Sequence, residues 1–191
     1  CNTASVIALD PVRAALHLPI VGTVPAIKPA AEISKTRVIG VLGTESTVRQ
    51  PYVDNLNRDF ASDCTVIRHG SARLVELAEH HVAGDTPPVE EFASILDKLF
   101  SQPRGGEIDT IVLACTHFPL VEEQLAAAAP HPVSFVHGGD GIARRIAHLT
   151  ERQPWPDAAP PPAMLVIGAG PGDEALFEGM RGYGFEGFEF L

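Results

Sequence analysis

The stretch "DTIVLACTHFPLVEE", residues 109–123, decides how the rest of the chain is read. Ile111 to Ala114 form an apolar run that leads straight into Cys115, Thr116 and His117, and a helical pattern follows. A short continuous apolar run is the mark of a strand buried on both faces, which implies a parallel sheet covered by helices. In such sheets reactive side chains gather at the carboxyl ends of strands, beside helix amino ends. A thiol, a hydroxyl and an imidazole therefore stand where an α/β protein places its chemistry. The competing reading is a core cysteine beside two turn residues, because cysteine is among the most buried residue types.

Working outward, apolar runs and helical patterns alternate along most of the chain. Residues 4–17 read as a helix with Val6, Ile7, Leu9, Val12 and Leu16 inward and Pro11 breaking or kinking its middle. "PIVGTV" (19–24) reads as a short buried strand, and residues 25–34 as a proline-interrupted helix or loop. "RVIGVLG" (37–43) is the clearest strand, and residues 44–60 follow as a helix opened by Ser46 or Thr47. "CTVIRHG" (64–70) is a strand, and residues 71–81 a helix capped by Ser71. A turn at 84–88 leads to a helix over 89–100. Strand 108–114, helix 119–129, strand 132–136 and helix 140–150 continue the alternation. Residues 151–163 form a proline-rich surface linker, followed by a strand over 164–170, a helix around 173–180 and a Gly- and Phe-rich end. The fold class is α/β with parallel sheets.

Bulk properties narrow the function. A chain of 191 residues buries a real core as one large domain or two small lobes. No apolar run reaches the roughly 18 residues of a membrane helix. The formal charge is −10, from 14 basic and 24 acidic residues, which argues against a nucleic-acid partner and an anionic membrane surface. An anionic substrate would then need local help from helix N-termini and backbone N–H groups. Three cysteines without a CxxC pair argue against a disulfide framework or a structural zinc site, and for a reducing compartment. The chain opens on Cys1 with no signal-like segment, so it is processed there or something upstream is absent.

"CNT" (1–3) has the same grammar as "CTH" (115–117): a thiol, two small hydrogen-bonding residues, then a helix. A helix N-terminus lowers a thiol's pKa, and His117 is placed to exchange a proton with Cys115. Two thiols facing each other would suit inversion at a carbon, one removing a proton and the other delivering one.

On "CNTAS", "LPIVGTVPAIKPA", "GVLGTESTV" and "IVLACTHFPL", the chain resembles glutamate racemase, of the cofactor-independent aspartate/glutamate racemase superfamily. The resemblance runs from Cys1 through "GDGIARR" (139–145) and more weakly to the tail, where "AMLVIGAGPGDEALFEGM" is similar to the family's closing strand and helix. It implies two pseudo-symmetric flavodoxin-like lobes, the first built from residues 1–34 and 131–191 and the second from 35–130. It implies catalysis by Cys1 and Cys115, with His117 assisting the second thiol and Glu79 supporting it. Asn2, Thr3, Thr44, Thr47 and Thr116 fall on residues that bind substrate. The implied reaction interconverts L- and D-glutamate for peptidoglycan, in the cytoplasm, without cofactor or metal. Glutamate is then the partner, and a homodimer stays open. The family's upstream Asp-Ser-Gly loop and its Pro-Tyr-Gly segment have no counterpart here. The first lobe is therefore expected to be incomplete, its sheet to have an open edge, and this chain alone to be poorly stable and weakly active or dead.

Other readings stay in view. The rivals are a sister racemase acting on aspartate or hydantoins, and a non-catalytic form that binds gyrase, as some glutamate racemases do. Cys1 as a lipidated or N-terminal nucleophile residue would need a processed start. Cys64 reads as a structural thiol without polar company. His80 and His81 at a helix end read as solvent-facing, and His69, His131 and His137 as turn or strand-end residues. "GAGPGD" (168–173) lacks the spacing and lysine of a phosphate loop and reads as a plain strand-to-helix turn.

Overall fold

The computed structural model describes residues 1–159, 161–166, 168 and 173–190, without the side chains of Val6 and Phe190. Two helices, α1 (Asn2–Ala15) and α2 (Ile27–Ile33), precede the first strand, β1 (Val38–Gly43). There follow α3 (Glu45–Val48), α4 (Pro51–Phe60), β2 (Thr65–Gly70), α5 (Arg73–Val82) and α6 (Val89–Phe100). Next come β3 (Thr110–Leu113), α7 (Glu122–Ala128), β4 (Ser134–Val136) and α8 (Gly139–Thr150). Then β5 (Ala163–Val166), α9 (Glu174–Met180) and β6 (Gly187–Phe190) complete the order.

Four strands form one sheet in the order β2-β1-β3-β4, every pair parallel. β1 and β3 lie inside it and are buried at every position, because helices cover both faces. The alternation of side chains is visible in the core. Val38, Leu42, Ile111 and Leu113 point to the face filled by Leu74, Leu77, Phe92, Leu99 and Phe118. Ile39, Val41, Val112 and Ala114 point to the other, against Ile27, Ala30 and Val53. A shift of register by one residue would send each set to the wrong helices, so the two central strands are fixed by their own pattern. A second sheet pairs β5 with β6 in parallel, Ala163 opposite Gly187 and Val166 opposite Phe190. The expected lobe boundary at residue 131 falls just before β4, and β4 continues the sheet of β3.

Several expectations are corrected. The helix over 44–60 is two helices, α3 and α4, separated at an extended Gln50 (φ −70°, ψ 136°). Pro51 has no N–H to continue α3 and biases the residue before it away from the helical region, so it starts a new helix instead. "PIVGTV" forms no strand. The Thr23 N–H goes to the Ser5 hydroxyl (3.1 Å) in place of a neighbouring strand. In α1, Ile7 and Leu16 are 60% and 48% exposed, not inward, and the side chain of Val6 lies outside the description. Pro11 sits within α1 without ending it. Helix 119–129 starts as a 3₁₀ turn over Phe118–Val121 before α7. Of the strand expected over 164–170, the described part is β5, Ala163–Val166. Residue 167 and, with most of "GAGPGD", residues 169–172 lie outside the described residues.

Two details position the site. The Ser71 hydroxyl accepts the Leu74 N–H (3.1 Å) and so caps the start of α5. At Gly70, a Cβ would stand 2.6 Å from the Glu45 Cα, so only glycine lets α3 press against the end of β2.

Candidate active site

The carboxyl end of β3 delivers Cys115, half-buried, one residue beyond the buried Ala114. Its Sγ lies 3.8 Å from Nδ1 of His117. The other ring nitrogen, Nε2, lies 3.3 Å from Oε1 of Glu79 on α5. The 3₁₀ turn carrying Phe118 and Val121 packs both side chains into the core beside α5, which holds the imidazole between thiol and carboxylate. His117 and Glu79 are 38% and 50% exposed, so their ion pair is screened and acts by orientation more than by stability. Burial pushes the Cys115 thiol above its ordinary pKa. The backbone N–H of His117, the amino group of Cys1 and the N–H groups of Phe118 and Thr116 pull in the opposite direction without cancelling that effect.

Cys1 precedes α1, exposed, with its carbonyl accepting the Ser5 N–H (3.0 Å). Asn2 is 5% exposed, and its Oδ1 accepts from the Thr23 hydroxyl at 3.5 Å. Thr3 is carried on the same turn of α1 to the carboxyl end of β1. There its Oγ1 meets Oγ1 of Thr47 at 2.6 Å and Oγ1 of Thr44 at 3.4 Å. Thr44 is the N-cap of α3: its Oγ1 accepts the Thr47 N–H at 3.3 Å and lies 3.0 Å from the Thr47 hydroxyl. The helix is thus opened by Thr44, not by Ser46 or Thr47. Thr116 is exposed beside Cys115 and turns its N–H toward the sulfur. The fold therefore gathers Thr3, Thr44 and Thr47 into one hydroxyl cluster, and Cys115, His117 and Glu79 into one proton-handling chain.

Sequence reasoning took Ser46 only as a helix opener and missed its place in the cluster, where its Oγ lies 3.1 Å from Thr44 Oγ1 and 3.5 Å from Thr3 Oγ1. It also missed Ser5 and Thr23 around Asn2. The other thiol, Cys64, sits in a bend before β2 and is not without polar company, since the Asp63 carboxylate is 3.8 Å away. Burial, against the pull of Arg37, raises its pKa. Asp63 is in turn held by the Arg37 guanidinium (2.6 Å). His80 is exposed and pairs with Asp85 (2.7 Å), while His81 is half-buried toward Gln124. The Gly139 N–H goes to Nδ1 of His137 (3.1 Å), a capping role at α8. Among the described residues no group of three His, Cys, Asp or Glu side chains is arranged to hold a metal ion, and no helix is long and apolar enough to cross a membrane.

The sequence profile of the Asp/Glu/hydantoin racemase family matches residues 1–145. The chain belongs to that family. Membership classes it with the amino-acid racemases, which are isomerases. The chain is 56% identical over 180 residues to the glutamate racemase of Sphingopyxis alaskensis, covering 87% of this chain and 67% of that protein. It is 45% identical over 151 residues to the glutamate racemase of Haemophilus influenzae, covering 79% of this chain and 55% of that one. This racemase-family chain thus spans between about half and about two thirds of the length of these relatives. Its fold matches the crystal structure of Escherichia coli glutamate racemase in complex with L-glutamate and activator UDP-MurNAc-ala. The TM-score is 0.86 at 39% identity, over 100% of this chain and 71% of that one.

Proposed function

We propose that the protein is a glutamate racemase that inverts the α-carbon between two thiols, Cys1 and Cys115. The observation that carries this reading is the line Cys115–His117–Glu79, in which an imidazole sits between a half-buried thiol and a carboxylate. Such a line moves a proton to and from sulfur and has no evident use in a core cysteine.

One thiolate takes the α-proton, becoming a thiol and leaving the electron pair on the substrate carbon. The opposite thiol gives its proton to the other face and becomes the thiolate. Burial raises the pKa of the Cys115 thiol, which favours its protonated form and suits it to the donor's part in one direction. Reversal exchanges these roles. His117, oriented by Glu79, resets the charge on Cys115. The carbanion calls for donors in place before it forms, and the hydroxyl cluster of Thr3, Thr44 and Thr47 is the candidate source of them. Asn2, held by Thr23, fixes the amino-acid end of the substrate. The product, D-glutamate, suits peptidoglycan synthesis in the cytoplasm, as the resemblance implies.

A second ligand also has a place. A cavity of about 410 Å³ brings together Arg13, Lys28, Arg144 and Arg145 in a chain whose net charge is −10. These cations suit an anionic effector of the kind named for the Escherichia coli relative.

The test is α-proton exchange. In deuterium oxide, L-glutamate should acquire deuterium at the α-carbon while its optical rotation decays. Measured on a protein of the relatives' full length, exchange confined to aspartate or a hydantoin would assign the sister activity, and no exchange with any of the three would reject catalysis by two thiols.

A further inference from the structure

We infer that Ser46 is a positioning residue that orients the substrate-facing hydroxyls, an inference that rests on the racemase reading above. Four hydroxyl oxygens close a ring: Thr3 to Thr47 at 2.6 Å, Thr47 to Thr44 at 3.0 Å, Thr44 to Ser46 at 3.1 Å and Ser46 to Thr3 at 3.5 Å, with Thr3 and Thr44 also 3.4 Å apart across it. Each hydroxyl has one hydrogen to give. In the closed ring every hydrogen is spent on a neighbour, and none is left for a ligand.

A carboxylate accepts hydrogen bonds and gives none, so its arrival must open the ring at one edge. The weakest edge is the longest, Ser46 to Thr3. A ring can run in two senses, and the sense that serves a ligand at Thr3 has Ser46 donate to Thr44, Thr44 to Thr47, Thr47 to Thr3, and Thr3 to the ligand. Thr47, only 1% exposed, has no solvent to turn to and must pass its hydrogen along the chain. Ser46 is the exposed head of that chain. Without its hydrogen, Thr44 is free to turn its own hydrogen outward, and the order of donors is lost. Chains of hydrogen bonds polarise one another, so the effect reaches Thr3 although Ser46 need not touch the substrate.

The experiment compares Ser46→Ala and Ser46→Thr with the wild-type protein, measuring racemisation of L-glutamate and thermal unfolding. Ser46→Ala should raise KM by about three- to tenfold, the worth of one hydrogen bond, with kcat changed less than twofold. Ser46→Thr, which restores a hydroxyl, should return KM to within about twofold of wild type by the same reckoning. The unfolding temperature should barely move, because the side chain is exposed and alanine suits a helix. An unchanged KM in Ser46→Ala, with or without a change in stability, overturns the inference and leaves the racemase reading standing. A kcat loss without a KM change overturns it as well. The variants are made in a protein of the relatives' full length, and if its wild-type form does not turn over glutamate, the racemase reading itself is overturned and the inference falls with it.

Discussion

The hydroxyls of Thr3 and Thr47 meet at 2.6 Å across 44 positions of sequence, and that contact joins the helix behind Cys1 to the turn after β1. Thr3 comes from α1, which otherwise exposes Ile7 and Leu16, and Thr47 is buried at the start of α3. The hydroxyl pair therefore sets where Cys1 stands relative to the sheet that carries Cys115.

Thr47→Val keeps the shape and removes the hydroxyl. The Thr3 oxygen loses its shortest partner, and of its two contacts with Thr47 the Thr44 hydroxyl keeps only the backbone N–H. Stability should fall by about 1–2 kcal/mol, read from denaturant unfolding, and KM for glutamate should rise as well. A loss of stability with kinetics intact would mean that the cluster is scaffold only.

Glu79→Gln tests the other group. Both side chains of the His117–Glu79 pair are well exposed, so the unfolding midpoint should change by less than about 0.5 kcal/mol. The kcat should nevertheless drop on the order of tenfold, a fraction of what a positioned acid–base group contributes. A variant with wild-type kcat at every pH would remove Glu79 from the proton path.

The parts of this arrangement that sequence carries and the parts it hides differ for physical reasons. β1 and β3 were legible because both faces are buried, and only continuous apolar runs satisfy that. Cys115 and His117 were legible because they end such a run. "PIVGTV" has an equally apolar pattern, yet a strand exists only with a hydrogen-bonding neighbour, which local pattern does not report. The split at Pro51 was signalled by the proline itself, but the helical periodicity of residues 44–60 masked it. Ser46 looks like any solvated helix residue; its role depends on Thr3, which only the fold brings near.

Cys115→Ala should abolish racemisation in both directions, because inversion needs a group on each face. It should also change how stability depends on pH. Burial holds the folded thiol's pKa above its unfolded value of about 8.5. Up to that pH both states keep the proton. Above it the unfolded chain ionises first, so the native state binds more protons and stability falls as pH rises toward the folded pKa. Unfolding midpoints between pH 7.5 and pH 10, about the window set by these values, should decline less steeply in Cys115→Ala. Cys64, raised by its own burial, keeps the remainder of the slope.

Asp109 gives the acid side of the same curve, far from the thiols. Burial pushes its carboxyl up, but the Ser34 hydroxyl (2.6 Å), the N–H groups of Thr36 (2.9 Å) and Lys35 (2.7 Å) and the Thr110 hydroxyl (3.1 Å) outweigh that effect. Together they hold it at about 2. A depressed pKa stabilises the fold above the unfolded value of about 3.9, and the contribution is lost as pH falls from there toward the folded value. Partial exposure limits it to about 1–2 kcal/mol. Asp109→Asn removes the charge and turns an N–H₂ toward groups that are themselves donors, which unpins the end of α2 from the start of β3. At pH 7 the variant should lose about 2 kcal/mol, and its unfolding should no longer steepen between about pH 4 and pH 2 as far as Asp109 is the cause. If wild type and variant lose stability in parallel over that range, the anchoring carboxylate lies elsewhere.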